Sequence, residues 1–398
     1  MNHCFKSAGL LTTLLLALGG VAYSAELPGP SLAALSDVDK YERAIHIMAM
    51  LLVGFGFLMV FVRQYGRSAL TATYLLVSVS IPLYFLKAGV CGSAAGVGVI
   101  DQLILAEFAA ASLLICAGAV LGRLKMEQYL LLGVLFVPCY ALNEWIVLNG
   151  GLGLIHGRVI DTGGSIVIHA FGAIFGLGVA ASMTTRQEYA TPIECDDTSD
   201  RFSLLGSMVL WIFWPSFCAA LVAPGDVPKT AVNVILALCG STLATYVASV
   251  KLRGKISAAD IANATLAGGV AIGSTCDAAV PGTAFAIGIL AGVVSTVGFA
   301  ILQAKLTART RKVDTCGVFY LHGLPGLFGG VAALVVVAGV DFRAQLTGIL
   351  VTVVIAAIAG LLSGKVIAVL GGRVAPYVDS EELEGEAPIA EAALAVET

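Results

Sequence analysis

Charged residues are scarce in this chain of 398 residues. Lys, Arg, Asp and Glu together make up 12% of it, about half of the share that is usual in soluble domains. So few charges cannot cover a surface that faces water, which excludes a soluble globular protein. The formal net charge is only -4, and this argues against nucleic acid as a partner.

Sequence signatures of enzymes and of cofactor sites are also lacking. The chain contains no P-loop, no HExxH, no dinucleotide fingerprint and no serine nucleophile elbow. Its nine cysteines show neither CxxC nor mixed Cys/His spacing. We therefore expect that the protein is not an enzyme and carries no metal or other cofactor. A disulfide between Cys91 and Cys276 stays open, because both residues fall in predicted outer loops.

Long apolar runs dominate what is present. The chain is 58% hydrophobic, and its mean hydropathy is +0.94. Runs close to the ~20 residues that cross the hydrocarbon core as a helix recur between short polar breaks. They predict an all-α polytopic membrane protein with eleven transmembrane helices. The predicted spans cover residues 43–62, 68–87, 101–122, 127–148, 162–184, 203–223, 229–250, 259–275, 281–304, 315–339 and 344–370.

The two ends of the chain have a different character. Residues 1–25 combine Lys6, a short apolar core and a small-residue site, the pattern of a cleaved signal peptide. A twelfth membrane helix is the alternative. Residues 26–373 then form the transmembrane domain, and residues 374–398 form an acidic tail. We expect this tail to be solvated in the cytoplasm.

Basic residues are distributed unequally between the predicted loops. If the mature N-terminus lies outside, most of the Lys and Arg residues fall in the inner loops. This asymmetry predicts an outside N-terminus and a cytoplasmic C-terminus. Together with the signal peptide, it indicates a multi-pass protein of the inner (plasma) membrane.

One motif occurs twice in the chain. Residues 161–176 and 314–329 both read D-T-x-G-x4-H-x5-F-G, in the fifth and the tenth predicted spans. The copies lie five spans apart, an odd number, so they enter the membrane from opposite sides. This pattern is typical of an inverted repeat with the functional site between its halves. The halves cover about 43–184 and 203–339, and the last helix, 344–370, lies outside the repeat.

Two of the five histidines occupy the repeated position. His169 and His322 should meet near the membrane centre, where a titratable ring is costly and usually functional. A pair of neutral imidazoles can share one hydrogen bond and line a lumen with the other nitrogens. The alternatives are two core histidines with separate partners, or a bis-histidine haem in an electron carrier. Asp161 and Asp314 would cap the two helices, and Asp161 could also stabilise an arriving cation.

Several longer motifs resemble the ammonium transporter and Rhesus superfamily, on its Rhesus branch. The most specific are DTGGSIVIHAFGAIFG at 161–176, WIFWPSF at 211–217, NATLAGGVAIG at 263–273 and DTCGVFYLHGLPG at 314–326. The resemblance spans nearly the whole mature chain. It implies the ammonium-transporter fold and a homotrimer with one pore per subunit. It also implies that His169 and His322 are twin pore histidines and that Phe108 and Phe217 stack as a gate.

The sequence departs from the family pattern at two places. Asn143-Glu144 stands where ammonium transporters tend to place an aromatic residue of the outer cation site. Phe319-Tyr320 replaces a polar pair that many animal Rhesus proteins carry. A weaker cation site fits a passive ammonia channel better than a high-affinity ammonium transporter.

The resemblance implies a route for ammonia. Ammonium would reach an outer vestibule, with help from Asp161 or Glu144, and lose its proton there. Neutral ammonia would pass the aromatic gate and the histidine pair, and be reprotonated inside. Carbon dioxide is the alternative substrate, because an apolar bore would also pass it. The haem electron carrier is a more remote alternative.

Overall fold

The computed structural model describes residues 31–90, 97–371, 378–381 and 383–384. The predicted signal peptide, Cys91 and most of the acidic tail lie outside these residues. The chain divides into two units, Met1–Asp39 and Lys40–Thr398. In the first unit, the described residues from Leu32 onward are helical. The contacts discussed below all lie within the second unit.

Helices make up the regular structure, and residues 31–90 and 97–371 contain no β-strand. Ten helices among the described residues are long and apolar enough to cross a membrane. We number the helices in chain order and include an interrupted helix, α8, which is described below. Helices α1 to α7 are Leu32–Phe61, Gly66–Val90, Val99–Ala119, Met126–Leu148, Ser165–Met183, Asp197–Ala219 and Val227–Arg253. Helices α9 to α11 are Pro281–Thr310, Phe319–Val336 and Phe342–Val369.

Helix α8 occupies the predicted span 259–275 but is interrupted. It consists of Ala258–Ala264, Ala267–Ile272 and a 3-10 turn at Gly273–Thr275. The Ser241 hydroxyl donates a hydrogen bond to the Thr265 carbonyl at the break, at 2.5 Å. A neighbouring helix thus satisfies a backbone group that the break exposes, as non-helical backbone in a membrane requires. With α8 included, the prediction of eleven helical spans is confirmed.

Helices α3 and α5 run parallel and in very close contact. A Cβ on Gly172 would lie 2.5 Å from the Ser112 carbonyl oxygen, and one on Gly176 would lie 2.8 Å from that of Cys116. Only glycine permits this approach, which is the usual role of small residues between membrane helices. The matching spacing of the two contacts fixes the common direction of the helices.

The two copies of the repeated motif lie at opposite ends of the bundle. Asp161 precedes α5, whereas the Thr315 backbone N–H, next to Asp314, donates to the carbonyl of Ala119 at the end of α3. Since α3 and α5 are parallel, Asp314 lies at the end remote from Asp161. The inverted arrangement is therefore present, and we call the two ends the Asp161 side and the Asp314 side.

One residue of the acidic tail is held against the bundle. Asp379 is buried, and its carboxylate accepts hydrogen bonds from the backbone N–H groups of Arg67 (3.1 Å) and Ser68 (2.9 Å). These groups open α2, where free N–H groups and the helix dipole favour an anion. Asp379 thus differs from the expectation of a wholly solvated tail.

Candidate functional site

Each histidine of the repeat lies in a π-helical turn that begins its helix. His169 belongs to the turn Ser165–Ala170 at the start of α5, and His322 to the turn Phe319–Gly323 at the start of α10. Such wide turns are rare and occur frequently at functional sites. The same local distortion in both copies is the structural counterpart of the repeated motif.

The two histidine rings are in direct contact. Their Nδ1 atoms lie 3.2 Å apart, and the rings are nearly parallel, at 8°, with centroids 5.3 Å apart. Both residues are only 2% exposed. Nε2 of His169 has no hydrogen-bond partner among the described residues. Rings that hydrogen-bond to each other leave no space for a porphyrin between them, so the pair does not fit the haem alternative.

Aromatic rings cover the pair on one side. The Phe108 and Phe217 rings lie 4.7 Å apart at 49°, and Phe217 lies 6.0 Å from His169 between centroids. The Trp214 ring stacks on His169 at 5.6 Å. The predicted phenylalanine pair is therefore assembled next to the histidines, although its rings are tilted rather than parallel.

A small cavity continues from the histidines on the other side. The ring of Phe55 lies 6.1 Å from that of His322. The cavity beside them has a volume of about 20 Å³, enough for one water-sized molecule. Its lining is mostly apolar and includes Leu58, Leu114, Ile115, Leu321 and the ring of His322. Phe108, Phe217, His169, His322 and this cavity thus follow one another in a largely apolar column.

Asp161 caps the first histidine helix. Its carboxylate accepts hydrogen bonds from the backbone N–H groups of Ile166 (3.0 Å) and Val167 (2.8 Å) and from the Ser274 hydroxyl (2.6 Å). Asp161 lies outside the membrane-spanning helices. Burial raises the pKa of its carboxyl to about 6, although these hydrogen bonds oppose the rise. The bonds account for a capping role, and Asp161 is 6% exposed.

Asp314 caps the second histidine helix in the same way. Its carboxylate accepts from the backbone N–H groups of Val318 and Phe319, both at 3.0 Å. Burial raises the pKa of this carboxyl to about 6, while backbone hydrogen bonds and the charge of Arg123 oppose the rise. Arg123 is itself buried and pairs with Glu188 at 3.6 Å. The Asp314 side therefore has an ion pair that the sequence pattern did not indicate.

Glu144 does not stand free in a vestibule. The Tyr84 hydroxyl donates a hydrogen bond to its carboxylate at 2.5 Å, and the Lys87 ammonium lies 3.0 Å from the same oxygen. The side chain of Glu144 is 7% exposed. Any cation that approached this carboxylate would meet Lys87 already bound there.

Four residues of the site were not predicted from the sequence. Trp214 lies inside the quoted motif at 211–217, but only Phe217 was selected from it. Phe55 and Lys87 have no distinctive spacing in the sequence. Glu107, which precedes Phe108, is fully buried, and neither carboxylate oxygen has a hydrogen-bond partner among the described residues. A carboxylate inside a predicted span was the available signal for Glu107.

Comparisons with known proteins agree on the family. A model of the Ammonium Transporter Family matches residues 40–387. The chain is 36% identical to mouse ammonium transporter Rh type B over 385 residues, which are 87% of this chain and 82% of that protein. It is 37% identical to Rh type C of Xenopus laevis over 324 residues, which are 76% of this chain but only 66% of that longer protein.

A solved structure supports the same assignment. Rh50 of Nitrosomonas europaea, described together with a mechanism of conduction by the Rhesus protein family of channels, is 51% identical to this chain. The match covers 91% of this chain and 96% of that one, with a TM-score of 0.87. The chain is therefore a multi-pass membrane protein that belongs to the ammonium transporter family, on its Rhesus branch.

Proposed function

We propose that this protein is a passive channel that conducts ammonia as the neutral molecule. The observation that carries the proposal is the contact between His169 and His322 inside a largely apolar column. Among the described residues that line this column, the ring nitrogens and the Asn263 amide are groups with which a small polar molecule can exchange hydrogen bonds. Ammonia, which both donates and accepts, matches imidazole nitrogens that can do the same.

The apolar lining selects against the charged form. Moving an ion into a dry, apolar environment without partners costs far more than moving a neutral polar molecule. Ammonium can avoid this cost because it can leave a proton behind, whereas potassium cannot. The described lining consists mostly of apolar side chains and aromatic rings, which cannot replace the hydration shell of potassium as a ring of carbonyl oxygens does in potassium channels. Potassium should therefore be excluded.

The proposed path has a direction in the membrane. The excess of Lys and Arg in alternate loops supports an orientation with the Asp161 side outside and the Asp314 side in the cytoplasm. Ammonium would lose its proton before the tilted pair Phe108 and Phe217. Ammonia would then pass His169 and His322 and take up a proton beyond the small cavity. A reporter fused at the C-terminus should accordingly behave as cytoplasmic, and a periplasmic result would reverse the path.

Assembly as a homotrimer in the plasma membrane is part of the proposal. Large apolar side chains on the outer faces of the helices, among them Met208, Val335 and Leu350, are 62%, 88% and 62% exposed in the single chain. Such side chains must face lipid or another subunit. We expect a trimer in mild detergent, with a complete column in each subunit. A monomer with full conduction would contradict this part of the proposal.

Permeability measurements on proteoliposomes test the proposed substrate. An inward ammonia gradient should alkalinise the lumen faster than in protein-free liposomes, and a potassium diffusion potential should not change the rate. Carbon dioxide entry, followed as acidification, serves as the comparison. Accelerated carbon dioxide entry without accelerated ammonia entry would make the protein a carbon dioxide channel. A rate of ammonia entry that follows the potential would indicate that ammonium crosses as an ion.

A further inference from the structure

Lys87 occupies a fully formed binding site for a primary ammonium group. Its Nζ lies 3.0 Å from Glu144 Oε2 and 3.3 Å from the Tyr84 hydroxyl oxygen. The same Nζ lies 4.4 Å from the centroid of the Tyr84 ring. An anion, a neutral oxygen and an aromatic face therefore surround one cationic nitrogen. These are the groups that bind free alkylammonium ions.

The site is on the Asp161 side and is linked by aromatic contacts to the histidine helix. Glu144 lies about one turn from the end of α4, after which the chain leads to Asp161. The Tyr84 ring lies 6.5 Å from that of Tyr140, which in turn lies 5.9 Å from that of Phe171. The side chain of Lys87 is 23% exposed, so the site has access to solvent.

We infer that Lys87 is a tethered competitor that keeps free ammonium out of the Glu144 site. A tethered group competes at a high effective concentration, because its binding needs no encounter from solution. Glu144 is then not a recruiting carboxylate in this protein, in contrast to the expectation from the sequence. Removing the lysine ammonium should uncover a cation site. The consequence for transport, a low apparent affinity for ammonium, rests on the proposed function, but the binding site itself does not.

The test is a thermal titration of Lys87→Met with methylammonium chloride, with choline chloride as the ionic-strength control. Methionine keeps most of the stem and removes the charge. The variant should melt at a higher temperature as methylammonium is added, with saturation, because a ligand that binds only the folded state stabilises it. Its apparent affinity should be at least about ten-fold tighter than that of the unsubstituted protein.

Matched variants identify the site. Lys87→Arg keeps a tethered cation and should not respond. The double variant Lys87→Met/Glu144→Gln lacks the carboxylate and should not respond either. Equal responses of the unsubstituted protein and Lys87→Met, or a response that survives Glu144→Gln, would overturn the inference.

A second measurement tests the inference if the Lys87→Met variant fails to fold. Glu144→Gln alone should release the lysine, so that amine-reactive reagents label Lys87 faster than in the unsubstituted protein, as judged by peptide mass. Unchanged labelling would contradict the tethering. Neither readout needs conduction, so failure of the ammonia-flux assay would refute the proposed function and leave this inference standing. Normal ammonia flux in the unsubstituted protein, together with no methylammonium binding by Lys87→Met, would refute this inference and leave the proposed function standing.

Discussion

His169 and His322 meet through like atoms, Nδ1 to Nδ1, at 3.2 Å. A shared hydrogen bond requires that one Nδ1 carries the hydrogen and that the other accepts it. In a neutral pair, the donating ring then has a bare Nε2, and the accepting ring has an Nε2–H. Two residues in equivalent places of an inverted repeat are therefore chemically unequal, and the pair has one Nε2 acceptor and one Nε2–H donor.

The first prediction follows from this inequality. His169→Ala or His322→Ala leaves one ring nitrogen without its protein partner, at a cost of about 1–3 kcal/mol. Since about 1.4 kcal/mol corresponds to ten-fold in rate, ammonia conduction should fall several-fold or more, or potassium should begin to leak. Stopped-flow alkalinisation of proteoliposomes measures the first effect, and a potassium-sensitive dye the second.

His46 supplies the control for the histidine variants. It is also a partly buried ring with one hydrogen bond, to Ser216 at 2.9 Å, and one stacked aromatic neighbour, Phe213. It does not belong to the repeat. His46→Ala should conduct like the unsubstituted protein, and all variants should assemble alike. If both pore-histidine variants conduct ammonia normally and still exclude potassium, the two rings serve only packing.

The repeated motif was sufficient to predict the central pairing. Identical spacing in two oppositely oriented helices brings Asp161 and Asp314 to opposite ends and His169 and His322 together. A repeat encodes this relation because each half folds alike. The π-helical turns around the histidines were not predictable, since they depend on how each helix packs and not on its own periodicity.

Contacts between residues far apart in the sequence could not be predicted from the sequence. The pairing of Lys87 with Glu144 joins residues 57 positions apart, on helices whose relative rotation no local pattern fixes. The interruption of α8 was missed because neither a proline nor a charged residue marks the break at Thr265 and Leu266. The hydroxyl that satisfies the break comes from Ser241 on another helix.

The second prediction concerns pH. The pKa of the Asp161 and Asp314 carboxyls rises from 3.8 to about 6 because both are buried. The folded protein therefore holds these protons more tightly than the unfolded chain. Their contribution to stability is complete below about pH 4 and is lost as the pH rises through about 6.

Asparagine variants separate the two carboxyls. Asp161→Asn or Asp314→Asn should each remove about half of the fall in melting temperature between about pH 4 and about pH 7, because one titrating group of two remains. The double variant should remove most of that fall. Differential scanning fluorimetry in detergent measures the effect. A pH dependence unchanged in the double variant would show that other groups are responsible.

The third prediction concerns close packing beside the histidines. A Cβ on Gly326 would lie 2.4 Å from the Ser165 carbonyl oxygen. This oxygen belongs to the backbone of α5, so the clash can be relieved only if α5 moves away from α10. Gly326→Ala should therefore lower the free energy of unfolding by about 1–3 kcal/mol, the usual cost of overpacking. Gly282→Ala is the control, because a Cβ there meets nothing within 4 Å. Equal melting temperatures of the two variants would contradict the prediction.

The last prediction compares two buried glutamates. Glu144 is bound by Tyr84 and Lys87, whereas neither carboxylate oxygen of Glu107 has a hydrogen-bond partner among the described residues. Glu107→Gln therefore removes no hydrogen bond that the carboxylate is seen to make, and it replaces an ionisable group with a neutral one of the same size. Its free energy of unfolding should be equal to that of the unsubstituted protein or higher, because an unpartnered charge is costly to bury.

Glu144→Gln should behave in the opposite way. It removes the charge that Lys87 faces and weakens the hydrogen bond from Tyr84. The free energy of unfolding should therefore fall by about 1–3 kcal/mol. Melting temperatures of the two variants in one detergent provide the comparison. If Glu107→Gln is the more destabilised of the two, the Glu107 carboxyl must make a bond that the glutamine amide cannot replace, and the prediction is wrong.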